Sequence, residues 1–306
     1  MQLPSEPTKM TQPCLEIVRP RGPAIALVCD SPHSGTHYPQ DFGYHVDLAD
    51  LRRCEDTLVE ALWAAVPEVG GTLIHALFPR SYIDANRTCT DIDRTMLSDP
   101  WPGEVEVSEA CTRLGNGLVF RKTTTMADIY DRQLTAAEVQ QRIDTCWLPY
   151  RQAVADALDQ ARAQAGRAWH LNLHSMPSNA YERLGRVSAT PLADVVLGDL
   201  RGRSCSASFA DCVAAAFRAQ GYRVAMNDPY AGQDLVRQHG QPAARCESLQ
   251  IEINRGLYLD EATRLPSANF ARVRDDVSAV LRAVAAFVQS MSADAATPTV
   301  HQGASR

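Results

Sequence analysis

The stretch AIALVCDSPHSG, residues 24–35, decides how this chain is read. Residues 24–29 form a continuous apolar run without polar alternation, the pattern of a strand buried on both faces, and such strands belong to parallel sheets covered by helices. The run ends at Asp30, and a turn crowded with Pro32, His33 and Gly35 follows. In open α/β sheets, ligands bind beyond the carboxyl ends of the strands. A histidine flanked there by Ser-Pro and Ser-Gly sits in a tight turn that can aim its ring.

Working outward, strands and helices alternate. Residues 47–66 carry Leu48, Leu51, Leu58, Val59, Leu62, Trp63 and Val66 at helical spacing, which predicts one helix. GGTLIHALFP (70–79) predicts a strand, and SYIDANR (81–87) its extended continuation or another strand. Residues 95–125, with DPWPG and LGNG inside, lack periodicity and are expected to form an irregular, lid-like excursion. A long helical pattern over about 135–165 contains Pro149, which should kink or split it. AWHLNLHS (168–175), DVVLGD (194–199), YRVAMND (222–228) and SLQIEINR (248–255) predict strands. Residues 208–220 predict a helix closed by Gly221, and 269–291 a last amphipathic helix. The polar residues 292–306 are expected to be disordered. Together these predict a single α/β domain over residues 1–291, a three-layer sandwich around a mixed, mostly parallel sheet.

Composition bounds the function. At 306 residues the chain can bury a substantial core. The formal charge of -6 offers no basic footprint for nucleic acid or an anionic membrane surface. MQLPSEPTKM lacks the zones of a signal peptide and no apolar run spans a bilayer, so a cytoplasmic protein is expected. The 9 cysteines are odd in number and include no CxxC pair, which argues for reduced, buried thiols rather than a disulfide framework or cysteine-rich zinc site. A small anionic ligand would therefore have to be held by local arginines.

Polar residues at expected strand ends carry the chemistry: His33, Asn86 with Arg87, His174, and Glu252, which interrupts the apolar alternation of LQIEI. Two histidines and a carboxylate around an open position make a catalytic zinc site. His33 and His174 are the candidate nitrogen ligands. CEDT (54–57) offers two adjacent carboxylates about 100° apart on a helix; the wheel places Glu55 among Leu51, Leu58 and Leu62, and either carboxylate remains a candidate. His37, His45, His75, His170 and His301 are read as structural. Arg80 and Arg87 in PRSYIDANR either grip a substrate carboxylate bidentately or form a buried ion pair with Asp84 or Asp91. A cysteine nucleophile at Cys29 is disfavoured because that residue ends the buried strand.

These residues, in this order, resemble the N-formylglutamate amidohydrolase (N-formylglutamate deformylase) family. The similarity is carried by SPHSG (31–35), EDT (55–57), EVGGTL (68–73), PRSYIDANR (79–87), NLHSM (172–176), VLGDLRGRSCS (196–206), AGQDLVRQHG (231–240) and LQIEINRGLYLDE (249–261). The resemblance implies a zinc-exopeptidase-like fold and hydrolysis of N-formyl-L-glutamate to formate and L-glutamate, the last step of one histidine-degradation route. It implies one zinc ion on His33, Asp56 and His174, with Glu252 as general base. Asn86 and Arg87 would hold one substrate carboxylate and Arg80, Arg237 or Arg255 the other, while His239 would help stabilise the oxyanion. The chain departs from the pattern at DTLV, where relatives read DTDW, and at AGQ, where Gln233 replaces a histidine. Two other readings are a zinc amidohydrolase for a different N-acyl amino acid and a metal-free binding protein for acidic amino acids.

Overall fold

The structure is a computed structural model and describes residues 13–296, with side chains to residue 292. In chain order the strands are β1 (Leu15–Val18), β2 (Leu27–Ser31), β3 (Thr72–Ala76), β4 (Ala168–Met176), β5 (Val195–Gly198), β6 (Val224–Met226) and β7 (Cys246–Asn254). The α-helices are α1 (Leu48–Arg52), α2 (Val59–Leu62), α3 (Glu109–Leu114), α4 (Ala136–Arg142), α5 (Leu148–Ala165), α6 (Ala180–Arg183), α7 (Ala207–Ala219), α8 (Asp234–His239) and α9 (Phe270–Ala296). The seven strands make one sheet in the order β1-β3-β2-β4-β7-β5-β6. The inner pairings β3-β2, β2-β4 and β4-β7 and the outer pairing β5-β6 are parallel, while β1-β3 and β7-β5 are antiparallel. The mixed, mostly parallel sheet is as predicted.

Helices cover both faces. α2, α7 and α9 pack on one side, where Trp169 of β4 meets Phe287 of α9 edge-on. α5 and α8 cover the other. Every residue of β2 and β4 is buried; β2 begins in the apolar run Leu27-Val28-Cys29, whereas β4 buries His170, Asn172 and His174 at alternate positions. β2 nevertheless runs on through Asp30 and Ser31, past the predicted end. Asp30 can stay in the ladder because its carboxylate accepts hydrogen bonds from Tyr150 (2.8 Å) and Asn172 (2.8 Å) and meets His170 Nε2 at 2.8 Å.

Three expectations are corrected. Residues 47–66 do not form one helix: the chain leaves α1 at Arg53 and re-enters at Val59, with Leu58 in the left-handed region at φ 64°. The break lies where Asp56 turns inward and its N–H donates to the His33 carbonyl at 3.0 Å, so polar demand overrides the apolar stripe. Residues 81–87 form successive turns rather than a strand. The short helix α8 and the antiparallel edge strand β1 add to the predicted elements. The final helix continues to Ala296, so the disordered tail expected from residue 292 starts too early; residues 297–306, His301 included, lie outside the described residues.

Pro149 does interrupt the long helix. A single π-turn over Ile143–Trp147 separates α4 from α5 and absorbs the proline without a backbone N–H. Residues 95–125 are mostly irregular around α3, and Ala110, Leu114, Asn116, Phe120 and Thr124 from this segment line the principal cavity.

Candidate active site

Strand register builds the site. In the parallel β4-β7 pair, His174 lies opposite Glu252 and Asn172 opposite Gln250; in β2-β4, Asp30 lies opposite Asn172. With alternate residues on one face, His170, Asn172 and His174 point the same way, toward α5 and α8. His33 arrives on the turn after β2. Gly35 in that turn is required by close approach: a Cβ there would lie 2.2 Å from the Phe78 carbonyl oxygen.

His33, Asp56 and His174 are all buried, and each offers a ligand atom within 4.8 Å of the other two. Asp56 Oδ2 is 3.3 Å from His33 Nδ1 and 3.1 Å from His174 Nδ1. The far nitrogens are engaged elsewhere. His33 Nε2 is 2.6 Å from Asp84 Oδ1, and His174 Nε2 is 2.7 Å from Asn172 Oδ1. The amide of Asn172 is oriented in turn by donation to Asp30. Asp84 presents an acceptor, so a neutral His33 carries its proton on Nε2; His174 Nε2 sits between the Asn172 oxygen at 2.7 Å and the Asn86 Nδ2 at 3.0 Å, and a proton directed at the nearer acceptor likewise leaves an Nδ1 lone pair turned toward Asp56. Two lone pairs and a carboxylate oxygen then converge without a proton among them, an arrangement that calls for a cation.

Electrostatics agree. Burial opposes ionisation of Asp56, but its close contacts with His174 and His33 and the charges of Arg80 and Arg255 outweigh it and hold the carboxyl well below its usual range. Burial, together with the neighbouring His33, keeps the His174 imidazole below its ordinary pKa and so neutral. Glu252 is pushed up to about 8 by burial and by the Asp56 charge. Gln250 donates to its Oε1 at 2.9 Å, while the Gln250 amide oxygen accepts the Gln233 N–H at 2.9 Å.

These groups open onto a cavity of about 370 Å³. Glu55, the alternative ligand, points away and accepts from the Tyr38 hydroxyl at 2.7 Å; the helical wheel failed because residues 53–58 are not helical. Arg80 is bonded to Asp84 (2.8 Å), the buried-pair alternative, and Arg255 Nη2 donates to Asp56 Oδ1 at 2.5 Å. Asn86 lines the cavity, yet its Oδ1 accepts the Leu235 N–H (2.9 Å) and its Nδ2 lies 3.0 Å from His174 Nε2 and 3.3 Å from the Asn172 oxygen, so it braces β4 against α8. Arg87 lines the cavity.

Two candidates fall outside it. His239 packs edge-on against His170 at 5.7 Å between ring centroids, on α8 beneath the sheet's end, and does not line the cavity. Burial lowers its pKa to about 3, the first of its causes, with His170 adding to it. Arg237 is exposed, pairs with Asp234 at 3.3 Å and borders a separate pocket of about 240 Å³. Conversely, Arg183 and Tyr230 line the main cavity unforeseen. Neither stands at a strand end or in a polar alternation that would have drawn attention to it.

Comparison with known proteins identifies the family. Residues 25–259 match the family model described as N-formylglutamate amidohydrolase. The chain is 27% identical over 266 residues to an N-formylglutamate deformylase of Pseudomonas aeruginosa, covering 84% of this chain and 90% of that one. A second deformylase, from Pseudomonas putida, is 23% identical over 240 residues, 78% of this chain and 83% of that one. The crystal structure of N-formylglutamate amidohydrolase from Ralstonia eutropha JMP134 superposes with a TM-score of 0.89 at 50% identity, covering 91% of this chain and 99% of that one. From its sequence, its sheet and the residues gathered at the sheet's end, this chain belongs to the N-formylglutamate amidohydrolase family.

Proposed function

We propose that the protein hydrolyses the formyl amide of N-formyl-L-glutamate to formate and L-glutamate with one zinc ion held by His33, Asp56 and His174. The reaction would close a histidine-degradation route in the cytoplasm. The observation that supports the reading most is the convergence of two imidazole Nδ1 atoms on one oxygen of an ionised Asp56, at 3.3 and 3.1 Å, with His33 Nε2 on Asp84 and His174 Nε2 nearest the Asn172 oxygen. Such a nitrogen and oxygen donor set suits zinc. When bound, zinc supplies Lewis acidity, which acidifies water and polarises an amide carbonyl.

The chain's own groups supply the rest. Glu252 takes a proton from the attacking water and delivers it to the departing amine nitrogen, a role typically worth ~10²–10⁴-fold. Gln250 fixes the carboxylate's direction. Arg80 and Arg255 hold Asp56 ionised and in place rather than binding substrate. Arg87, whose guanidinium borders the cavity, takes one substrate carboxylate.

The reading is tested by measuring formate release from N-formyl-L-glutamate beside acetate release from N-acetyl-L-glutamate. Fast formate release with little acetate is expected. A preference for the acetyl substrate would favour an amidohydrolase for another N-acyl amino acid, and tight binding of glutamate without turnover would favour a binding protein.

A further inference from the structure

Five arginines line the cavity, and their commitments differ. Arg80 is bonded to Asp84 and Asp56, Arg255 to Asp56 and Ser175, and Arg53 lies 3.7 Å from Asp50. Arg87 and Arg183 make no side-chain hydrogen bond or ion pair among the described residues. Arg183 is the less comfortable of the two. Burial and the positive charges of Arg255 and Arg80 act against its guanidinium more than the neighbouring Cys54 and Tyr230 favour it.

The backbone carrying Arg183 is pinned on both sides. α6 leaves the end of β4 only a few residues beyond His174, and the Ser178 N–H ahead of it donates to Glu261 at 3.0 Å. Within and after the helix, Tyr181 and Arg186 bond Asp228 at 2.7 and 2.8 Å, and the Leu184 carbonyl accepts from Arg113 at 3.0 Å. A fixed backbone thus presents an unpaired guanidinium to the cavity that holds Glu252 and the histidines. An anion entering the cavity would meet a guanidinium already in place and without a partner.

We propose that Arg183 is the residue that selects an acidic side chain, binding the distal carboxylate of an N-formyl dicarboxylic amino acid while Arg87 takes the carboxylate next to the amide nitrogen. The assignment rests on the proposed deformylase reading. It replaces Arg80, Arg237 and Arg255 in that role, because two of these are committed to Asp56 and the third lies outside the cavity. A site built to pair with a carboxylate should reject the neutral isostere N-formyl-L-glutamine.

The test compares both substrates on zinc-loaded wild-type protein, Arg183→Gln and Arg183→Lys, together with calorimetric binding of glutarate and butyrate. For Arg183→Gln, KM for N-formyl-L-glutamate should rise about 10–100-fold with little change in kcat, as expected for loss of a charged hydrogen-bonded pair. Turnover of N-formyl-L-glutamine should stay unchanged, and Arg183→Lys should recover part of the loss. An unaltered preference for glutamate over glutamine, or an equal fall on both substrates, would overturn the assignment. If the wild type releases no formate but Arg183→Gln weakens glutarate binding and spares butyrate, the deformylase reading fails while the carboxylate site stands. Equal glutarate binding by wild type and variant sinks the site itself.

Discussion

His33 Nε2 lies 2.6 Å from Asp84 Oδ1, and that one contact determines which face of the imidazole is free. Asp84 is itself held by Arg80 at 2.8 Å and by the Asn86 N–H at 2.9 Å, so the carboxylate cannot swing away. Burial works against its charge, but His33 and Arg80 overcome it and leave the carboxyl ionised far below its usual range. Replacing Asp84 with Asn should therefore weaken zinc binding by ~10–100-fold, the usual effect of losing a carboxylate behind a metal-binding histidine. Competition with a chromogenic chelator measures this, and unchanged affinity would show that the contact does not orient His33.

Glu252→Gln should keep zinc stoichiometry while lowering kcat by ~10²–10⁴-fold. The same change should stabilise the metal-free protein. A carboxyl whose pKa rises from 4.5 to about 8 on folding keeps a proton that the unfolded chain releases, so its stability contribution is full below 4.5 and is lost as pH climbs toward 8. Denaturant unfolding near the upper end of that window should find the glutamine variant more stable by roughly 1–3 kcal/mol. The gap should close toward the lower end; a variant less stable at both would contradict it.

His239 gives the opposite slope. Its pKa falls from 6.5 to about 3 because burial, aided by His170 and Arg151, penalises its charge more than Asp30 favours it. Between those values the unfolded chain binds a proton that the native protein refuses, so stability is intact above 6.5 and falls as the solution is acidified, by about 1.4 kcal/mol per pH unit from this group. His239→Leu should flatten the acid side of the stability profile and leave kcat nearly untouched. Parallel profiles for the two proteins would count against this burial.

Much of this was legible because polarity was placed where apolar periodicity demanded otherwise. His33 after β2, His174 in β4 and Glu252 in β7 each break a buried run, and the strand register then brings them together. The choice between Glu55 and Asp56 was not legible. A helical wheel assumes a helix, whereas this segment gives up helical hydrogen bonds so that Asp56 can meet two imidazoles and a guanidinium. His239 was misassigned for a related reason: AGQDLVRQHG looks like a loop, and only the turn into α8 carries its ring away from the cavity to His170. Arg183 could not be told from other exposed-looking arginines, since the absence of partners is a property of three-dimensional placement.

Gly35→Ala tests the turn that delivers His33. A methyl group there would stand 2.2 Å from the Phe78 carbonyl oxygen and 2.5 Å from the Leu77 carbonyl carbon, both backbone atoms unable to step aside cheaply. Destabilisation of about 1–3 kcal/mol or more is expected. Zinc affinity should fall with it, because the shift moves His33 relative to Asp56. Thermal unfolding with and without zinc measures both effects.

The most direct test of the account is to strip the protein of metal, titrate zinc back and follow formate release from N-formyl-L-glutamate, in wild type and His174→Ala side by side. The account predicts no turnover in the stripped wild type, recovery that levels off at one zinc per chain, and no comparable recovery in the variant. Full activity in metal-free wild-type protein, or equal recovery in His174→Ala, would contradict it.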